Sequence, residues 1–127
     1  MSDEILNHII KLKQMREDFA LVTVISRYEP SSGKVGDKAV VDRAGILYGW
    51  IGGGCVKSIV CKESIDAIQS GLARRVLIGQ KESASTKEIK IYKMTCQSEG
   101  TVEVFIEPQV QVPHLIIMGK TMIAKAM

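Results

Sequence analysis

The sequence predicts an α/β fold: a single domain with a mixed β-sheet packed by two main helices. Three observations predict it. Amphipathic helical patterns and apolar strand-like segments follow one another along the chain. The chain has 127 residues, which is the usual length of one domain. Hydrophobic residues make up 46% of it, enough for one core.

The first half contains one helix, one strand, a loop and a hairpin. Apolar residues recur at helical spacing over 3–16, and Ser2 stands where an N-cap belongs. Residues 19–25 are apolar and largely β-branched, which is typical of a strand buried on both faces. Residues 28–38 combine a proline with two serines and two glycines and predict a loop. Residues 39–42 and 46–50 then predict a hairpin.

The second half begins with a helix over 54–70, which has apolar positions on one side and Gly71 as its C-terminal cap. Glu107 and Pro108 are expected to end the sheet. Another buried strand and the first residues of a helix are predicted after Pro113. Three strands are predicted between the helix and the end of the sheet: 75–78, 89–93 and 101–106.

Charge and hydropathy exclude several classes of protein. The net charge is only +3 and aromatic residues make up 5%, whereas nucleic-acid modules cluster basic and aromatic side chains. The apolar run 115–118 is far shorter than the ~20 residues of a membrane-spanning helix. The N-terminus lacks the basic flank and apolar segment of a signal peptide. We therefore expect a cytoplasmic protein that binds neither nucleic acid nor membrane.

Three cysteines cannot all pair within one chain, so we expect free thiols. Their spacing does not fit a zinc site, and His8 and His114 stand far away. Cys61 lies on the apolar side of the second helix, and this position predicts that it packs in the core. Cys55 lies at the helix N-terminus, where a thiolate is favoured, so a reactive thiol and a buried core residue both stay open. Cys96 lies in a polar turn and favours a functional role.

The run Gly52–Gly54 between a strand and a helix is the most informative local feature. Glycines let backbone N–H groups point inward, and the helix N-terminus adds partial positive charge, which suits a phosphate or another anion. A tight turn that requires positive φ is the alternative. Trp50 precedes the run and either stacks on a flat ligand or anchors the turn. The preceding loop offers further anion donors, or an ordinary solvated surface: Ser31, Ser32, Lys34 and Lys38.

Two nucleotide-binding motifs are incomplete near the end of the chain. Gly119, Lys120 and Thr121 resemble the end of a phosphate loop, but His114 stands where the first glycine is required. In a dinucleotide-binding turn, Thr121 would replace the second glycine. Nucleotide hydrolysis is therefore not predicted.

Four blocks resemble the amino-terminal domain of the XdhC/CoxI family, most closely its CoxI-like branch. They are PSSGKVGDK at 30–38, GWIGGGC at 49–55, MTC at 94–96 and GTVEVFIEP at 100–108. Their order and spacing are more specific than any single block. The tail resembles the first strand and turn of the family's second, Rossmann-like domain. We therefore expect residues 1–108 to form the amino-terminal domain and 109–127 a linker plus a truncated, vestigial Rossmann-like start.

The resemblance implies an accessory chaperone without catalytic residues or a metal site of its own. Family members bind the molybdenum cofactor (molybdopterin), protect it during sulfuration by a cysteine desulfurase and deliver it to an apo-molybdenum hydroxylase. Xanthine dehydrogenase and carbon monoxide dehydrogenase are such hydroxylases. Carried over by position, the implied cofactor-binding residues are Gly52, Gly53, Gly54, Cys55, Cys96, Ser31, Ser32, Lys34, Lys38 and Trp50.

Two other functions stay open: a sulfur-transfer enzyme with a persulfide on Cys55 or Cys96, and a cofactor-free docking module for a separate Rossmann-like subunit. The sequence departs from the family at Lys57, where an acid is usual, and at Glu99, which replaces a glycine. An exposed strand at 115–118 would leave an unpaired edge. We therefore expect a homo-oligomer or pairing with a partner chain.

Overall fold

A computed structural model describes residues 2–28, 34–79, 89–93 and 101–111. These residues form two helices and six strands, and the strands make one sheet in the order β3-β2-β1-β6-β4-β5. The elements are α1 (Asp3–Gln14), β1 (Phe19–Tyr28), β2 (Lys38–Asp42), β3 (Leu47–Gly49), α2 (Gly54–Ser70), β4 (Arg74–Gly79), β5 (Ile89–Lys93) and β6 (Thr101–Gln109).

The sheet is mixed, as predicted. Four pairs of strands are antiparallel, namely β1–β2, β2–β3, β1–β6 and β4–β6, and the pair β4–β5 is parallel. The longest pairing joins β1 to β6 at the centre of the sheet, with a register shift between Val24 and Ser26. The hairpin predicted for 39–42 and 46–50 is confirmed as β2 and β3, and β3 forms one edge of the sheet.

Helix α1 covers one face of the sheet near that edge. It begins at the predicted N-cap, where the backbone N–H of Ile5 donates to Ser2 Oγ at 3.3 Å. Its buried side chains, Ile5 and Leu12, pack with Phe19 of β1 and Val40 of β2. Its first turn carries Asp3 and Glu4, acids that favourably oppose the positive end of the helix dipole.

Helix α2 packs on the opposite face and builds the larger core. Val56, Val60, Ala67 and Ile68 of this helix lie among buried residues of β1, β2, β4 and β6. The helix ends as predicted, since Gly71 takes the left-handed conformation at φ 72° and donates its N–H to the carbonyl of Ala67.

Strand β6 is longer than the sequence predicts. Glu107 and Pro108 do not end the sheet, because β6 continues to Gln109 and Pro108 lies opposite Ala20 of β1. The pairing with β4 stops at Ile106, so beyond that point β6 has a neighbour on one side only. A proline is tolerated in such an edge position, where one side of the strand needs no ladder hydrogen bond.

Several predicted features lie outside the described residues. They include the strand predicted after Pro113 and the truncated Rossmann-like start. Within the described ranges, neither helix is long and apolar enough to cross a membrane.

Candidate ligand site at the start of the second helix

The N-terminus of α2 has no side-chain cap in the structure. Its N-cap is Gly53, which has no side chain to accept a hydrogen bond, and the first turn contains no acid. Helix α1 differs, because Ser2 caps it and two acids follow. Within the described residues, no N-cap side chain competes for the start of α2, where the helix dipole favours an anion.

The glycines that lead into α2 have different roles. Gly52 has φ 144°, and an added Cβ would lie 3.4 Å from Val56, so the turn itself requires glycine there. The preceding Ile51 is 1% exposed and anchors the turn in the core. Gly54 has open space around the position of an added Cβ. The tight-turn interpretation therefore holds for Gly52, while Gly54 leaves room for a ligand close to the backbone.

The prediction of free thiols is wrong for Cys55, which is disulfide-bonded. Separation along the chain does not reveal which cysteines the fold brings together. Cys55 is half-buried in the first turn of α2 and packs against the core. Cys96 lies outside the described residues.

Cys61 keeps a free thiol and is half-buried rather than part of the main buried core. Burial raises the pKa of this thiol; Lys57 lowers it and Asp42 raises it by smaller amounts. The Cys61 thiol is therefore held in its neutral form to a higher pH than an exposed cysteine.

The loop residues implied by the resemblance are placed only in part, since Ser31 and Ser32 lie outside the described residues. Lys34 is exposed, and its backbone N–H donates to Asp37 Oδ2 at 2.8 Å. Lys38 Nζ donates to Thr23 Oγ1 at 3.1 Å. The structure brings Lys38 and Trp50 to one cavity, whose described lining does not include Lys34.

That cavity, of about 860 Å³, lies between the start of α1 and strand β3. We call it the α1–β3 cavity. The imidazole of His8 contacts the ring of Tyr48 there, with centroids 3.8 Å apart and planes tilted by 40°. The sequence analysis missed it because α1 and β3 lie far apart in the chain. Its described lining is Ser2, Glu4, Ile5, His8, Gly36, Asp37, Lys38, Leu47, Tyr48, Gly49 and Trp50.

A buried ion-pair cluster on α2 was also not predicted. The Glu63 side chain is 1% exposed, and its Oε1 lies 3.2 Å from Arg74 Nη1 and 3.4 Å from Lys90 Nζ. It joins α2 to β4 and β5. In the described part of the chain, no group of three or more His, Cys, Asp or Glu side chains could hold a metal ion.

Fold and turn together define the class of protein: an α/β domain whose edge strand leads through a glycine turn into an uncapped helix N-terminus. A sequence profile of the XdhC and CoxI family matches residues 12–79, more than half of the chain. The chain therefore belongs to the XdhC and CoxI family, and the resemblance found in the sequence is confirmed.

A solved structure described as a xanthine dehydrogenase from Bacillus halodurans is similar, with a TM-score of 0.61 and 22% identity. The similarity covers 85% of this chain and 30% of that one, so the chain spans under a third of the other protein's length. At this identity the comparison shows the shared fold. No curated protein matches the sequence.

Proposed function

We propose that the chain is a maturation factor for a molybdenum hydroxylase of the xanthine or carbon monoxide dehydrogenase type. In this proposal it binds the molybdenum cofactor as cargo, holds it during sulfuration by a cysteine desulfurase and passes it to the apo-hydroxylase. Membership of the XdhC and CoxI family supports this role. The name of the similar solved structure agrees with it.

The observation that carries the proposal is the uncapped N-terminus of α2. Gly53 provides no side-chain cap, no acid occupies the first turn, and space remains beside Gly54. The backbone N–H of Lys57 donates to the carbonyl of Gly53, and the Lys57 side chain adds a positive charge one turn into the helix. These features fit the phosphate of molybdopterin, which also brings a dithiolene-held molybdenum.

Cys55 stands in the same first turn, and in this proposal its thiol contacts the metal end of the cargo. The thiolate is the form of cysteine that binds metals, and the N-terminus of a helix favours it. Because Cys55 is disulfide-bonded in the structure, this role requires the reduced protein. Soft thiolate ligands suit a sulfur-bound molybdenum centre.

The test is the molybdenum and pterin content of the reduced protein, purified anaerobically from a host that makes the cofactor. Elemental analysis measures molybdenum, and fluorescence of the oxidised pterin measures the organic part. We expect near-stoichiometric amounts of both in the wild type and a several-fold loss in Cys55→Ser. The matched control is Cys61→Ser, which removes a half-buried free thiol from the same helix and should retain the cargo.

Equal retention by Cys55→Ser and the wild type would remove the role given to this thiol. A folded wild-type protein without molybdenum or pterin would contradict the chaperone function and favour the docking module. The sulfur-transfer alternative has its own readout. It requires sulfane sulfur on Cys55 or Cys96 after incubation with a desulfurase and cysteine, which a chaperone does not require.

A further inference from the structure

Strand β3 forms an edge of the described sheet, and the α1–β3 cavity lies beside it. We propose that this edge binds an extended segment of a partner protein as an additional strand, antiparallel to β3, with one arginine side chain of that segment in the cavity. In such complexes, main-chain hydrogen bonds give affinity and pockets for alternate side chains give specificity. This inference goes beyond the proposed function and does not depend on it.

The hydrogen bonding between β2 and β3 shows which backbone groups of β3 point outward. The Asp42 N–H donates to the Ile46 carbonyl at 3.1 Å, and hydrogen-bonded pairs recur at every second residue of an antiparallel ladder. Tyr48 therefore also points its backbone groups at β2, while Leu47 and Gly49 point theirs away from it. Among the described residues, no strand lies on that side to bond them. A partner strand would satisfy both residues.

The side chains along this edge are apolar and exposed. Ile46 is 52% exposed, Tyr48 is 37% exposed and Trp50 is 55% exposed. Their spacing of two residues places them on one face of the strand, and Tyr48 contacts His8 of α1, so this is the face on which the cavity lies. The segment 46–51 contains neither a charged residue nor a proline, which commonly protect an exposed edge from pairing.

The charged groups of the cavity favour a cationic side chain. The carboxylates of Glu4 and Asp37 line it, against the single ammonium of Lys38, which donates to Thr23. One Asp37 oxygen accepts a backbone N–H, but the described contacts give the Glu4 carboxylate no ion pair or hydrogen bond. His8 Nε2 is buried without a hydrogen-bond partner among the described residues. An arginine fits best, because its guanidinium stacks on aromatic rings and donates two parallel N–H bonds to a carboxylate.

Fluorescence anisotropy of a labelled peptide, titrated with the purified chain of residues 1–127, tests the proposal. The probe is the nine-residue peptide SVTVRVTVS with both ends blocked, which has a single arginine at its centre. The matched peptide carries citrulline there, which has nearly the shape of arginine but no charge. We expect the arginine peptide to bind roughly tenfold tighter, the size of one charge-assisted interaction.

Methylation of single backbone nitrogens in the peptide tests the addition of a strand. In an antiparallel strand with the arginine opposite Tyr48, the valines beside the arginine point their N–H groups at β3, and the arginine points its own away. We expect N-methylation of either valine to weaken binding roughly tenfold or more, because it removes a main-chain hydrogen bond. N-methylation of the arginine should change the affinity less than about twofold.

Protein variants then locate the binding. Glu4→Gln should weaken binding of the arginine peptide roughly tenfold, to within about twofold of the citrulline peptide. Asp3→Asn is the matched control, because it removes an acid from the same helical turn that does not line the cavity. Trp50→Ala should weaken binding about threefold or more through the lost cation–π contact. Leu72→Ala, which changes an exposed side chain outside the cavity, should have no effect.

Absence of binding by the arginine peptide would overturn the inference, as would equal binding by the citrulline peptide. An unchanged preference for arginine in a folded Glu4→Gln variant would remove the cavity from the proposal and so overturn it. Equal losses on N-methylation of valine and of arginine, or a loss on N-methylation of arginine alone, would contradict the antiparallel strand.

A second copy of the chain is the competing occupant of this edge. Light scattering of the wild type and of Trp50→Ala distinguishes it. A wild-type dimer that ignores the peptide and separates in Trp50→Ala would assign the edge to a second copy and overturn the inference. The molybdenum content is a separate result, since a protein that carries molybdenum yet ignores the peptide would contradict only this inference. One that binds the peptide yet carries no molybdenum would contradict only the proposed function.

Discussion

Gly49 shows how one residue shapes the α1–β3 cavity. It has φ 113°, and an added Cβ would lie 2.6 Å from the Lys38 carbonyl oxygen and 2.7 Å from Ile5 Cδ1. Only glycine lets α1 approach β3 this closely. We expect Gly49→Ala to lower the free energy of unfolding by about 2–5 kcal/mol, through backbone strain and overpacking together. Urea unfolding followed by circular dichroism measures the loss.

Gly36 provides the matched control for this prediction. It also has a positive φ, 94°, but an added Cβ would have nothing within 4 Å. Gly36→Ala should therefore cost only the backbone strain, about 1–3 kcal/mol. If both variants lost the same stability, the close approach of α1 to β3 would not be what requires glycine at position 49.

Residue-level prediction succeeded where the cause was local. A strand, three glycines and a helix predict a turn, and Gly52 does take positive φ. The sequence could not show that Cys55 is disulfide-bonded, because local sequence patterns do not reveal cysteine pairing. Nor could it show that His8 meets Tyr48, since forty residues separate them. The anion site near Gly54 and the stacking of Trp50 on a flat ligand remain predictions.

At the level of elements, Glu63 joins α2 to two strands. Its side chain is 1% exposed, and the paired Arg74 side chain is 15% exposed. Removing the carboxylate leaves the Arg74 charge largely buried without its partner. We expect Glu63→Ala to lower the free energy of unfolding by about 3–5 kcal/mol, the usual cost of breaking a buried pair.

Lys90 provides the comparison for Glu63. Its side chain is 51% exposed, so the charge stays solvated when the pair is lost. Lys90→Ala should cost at most about 1 kcal/mol, as for most exposed ion pairs. Similar losses in Glu63→Ala and Lys90→Ala, measured by urea unfolding, would show that Arg74 does not depend on this carboxylate.

Helix limits were easier to predict than strand limits. Helix α2 begins and ends where its glycines indicate, because caps are set by residues at the ends themselves. Pro108 was expected to end the sheet. Whether a strand tolerates a proline depends on whether it has a neighbouring strand on each side, and β6 has only one at this position. From the sequence alone, the charge of Glu63 predicts an exposed position on the helix. Its burial can be predicted only when its partners on β4 and β5 are known.

For the whole molecule, the sequence predicted the mixed sheet and its two helices but not the order of the strands. Local patterns identify strands, whereas order depends on long-range pairing. Strand β6 lies between β1 and β4, far from both in the chain. This arrangement places α1 and α2 on opposite faces beside the edge strand β3, so the α1–β3 cavity and the glycine turn lie near the same edge.

The arrangement of the core leads to a prediction about the end of the chain. The buried hydrophobic residues of the described core lie between Ile5 and Ile106, and the Gln111 N–H donates to Asp18 Oδ1 at 2.9 Å. We expect a chain truncated after Gln111 to unfold cooperatively with a Tm within about 4 °C of the full chain, equivalent to less than about 1 kcal/mol. Thermal circular dichroism compares the two.

Truncation after Ile106 is the control, because it removes the part of β6 that pairs with Phe19, Ala20 and Leu21 of β1. That chain should have a clearly lower Tm, since the start of β1 loses one of its two neighbouring strands. If truncation after Gln111 lowered Tm as much, residues 112–127 would stabilise the domain directly. The predicted division into a domain at 1–108 and a separate start at 109–127 would then be wrong.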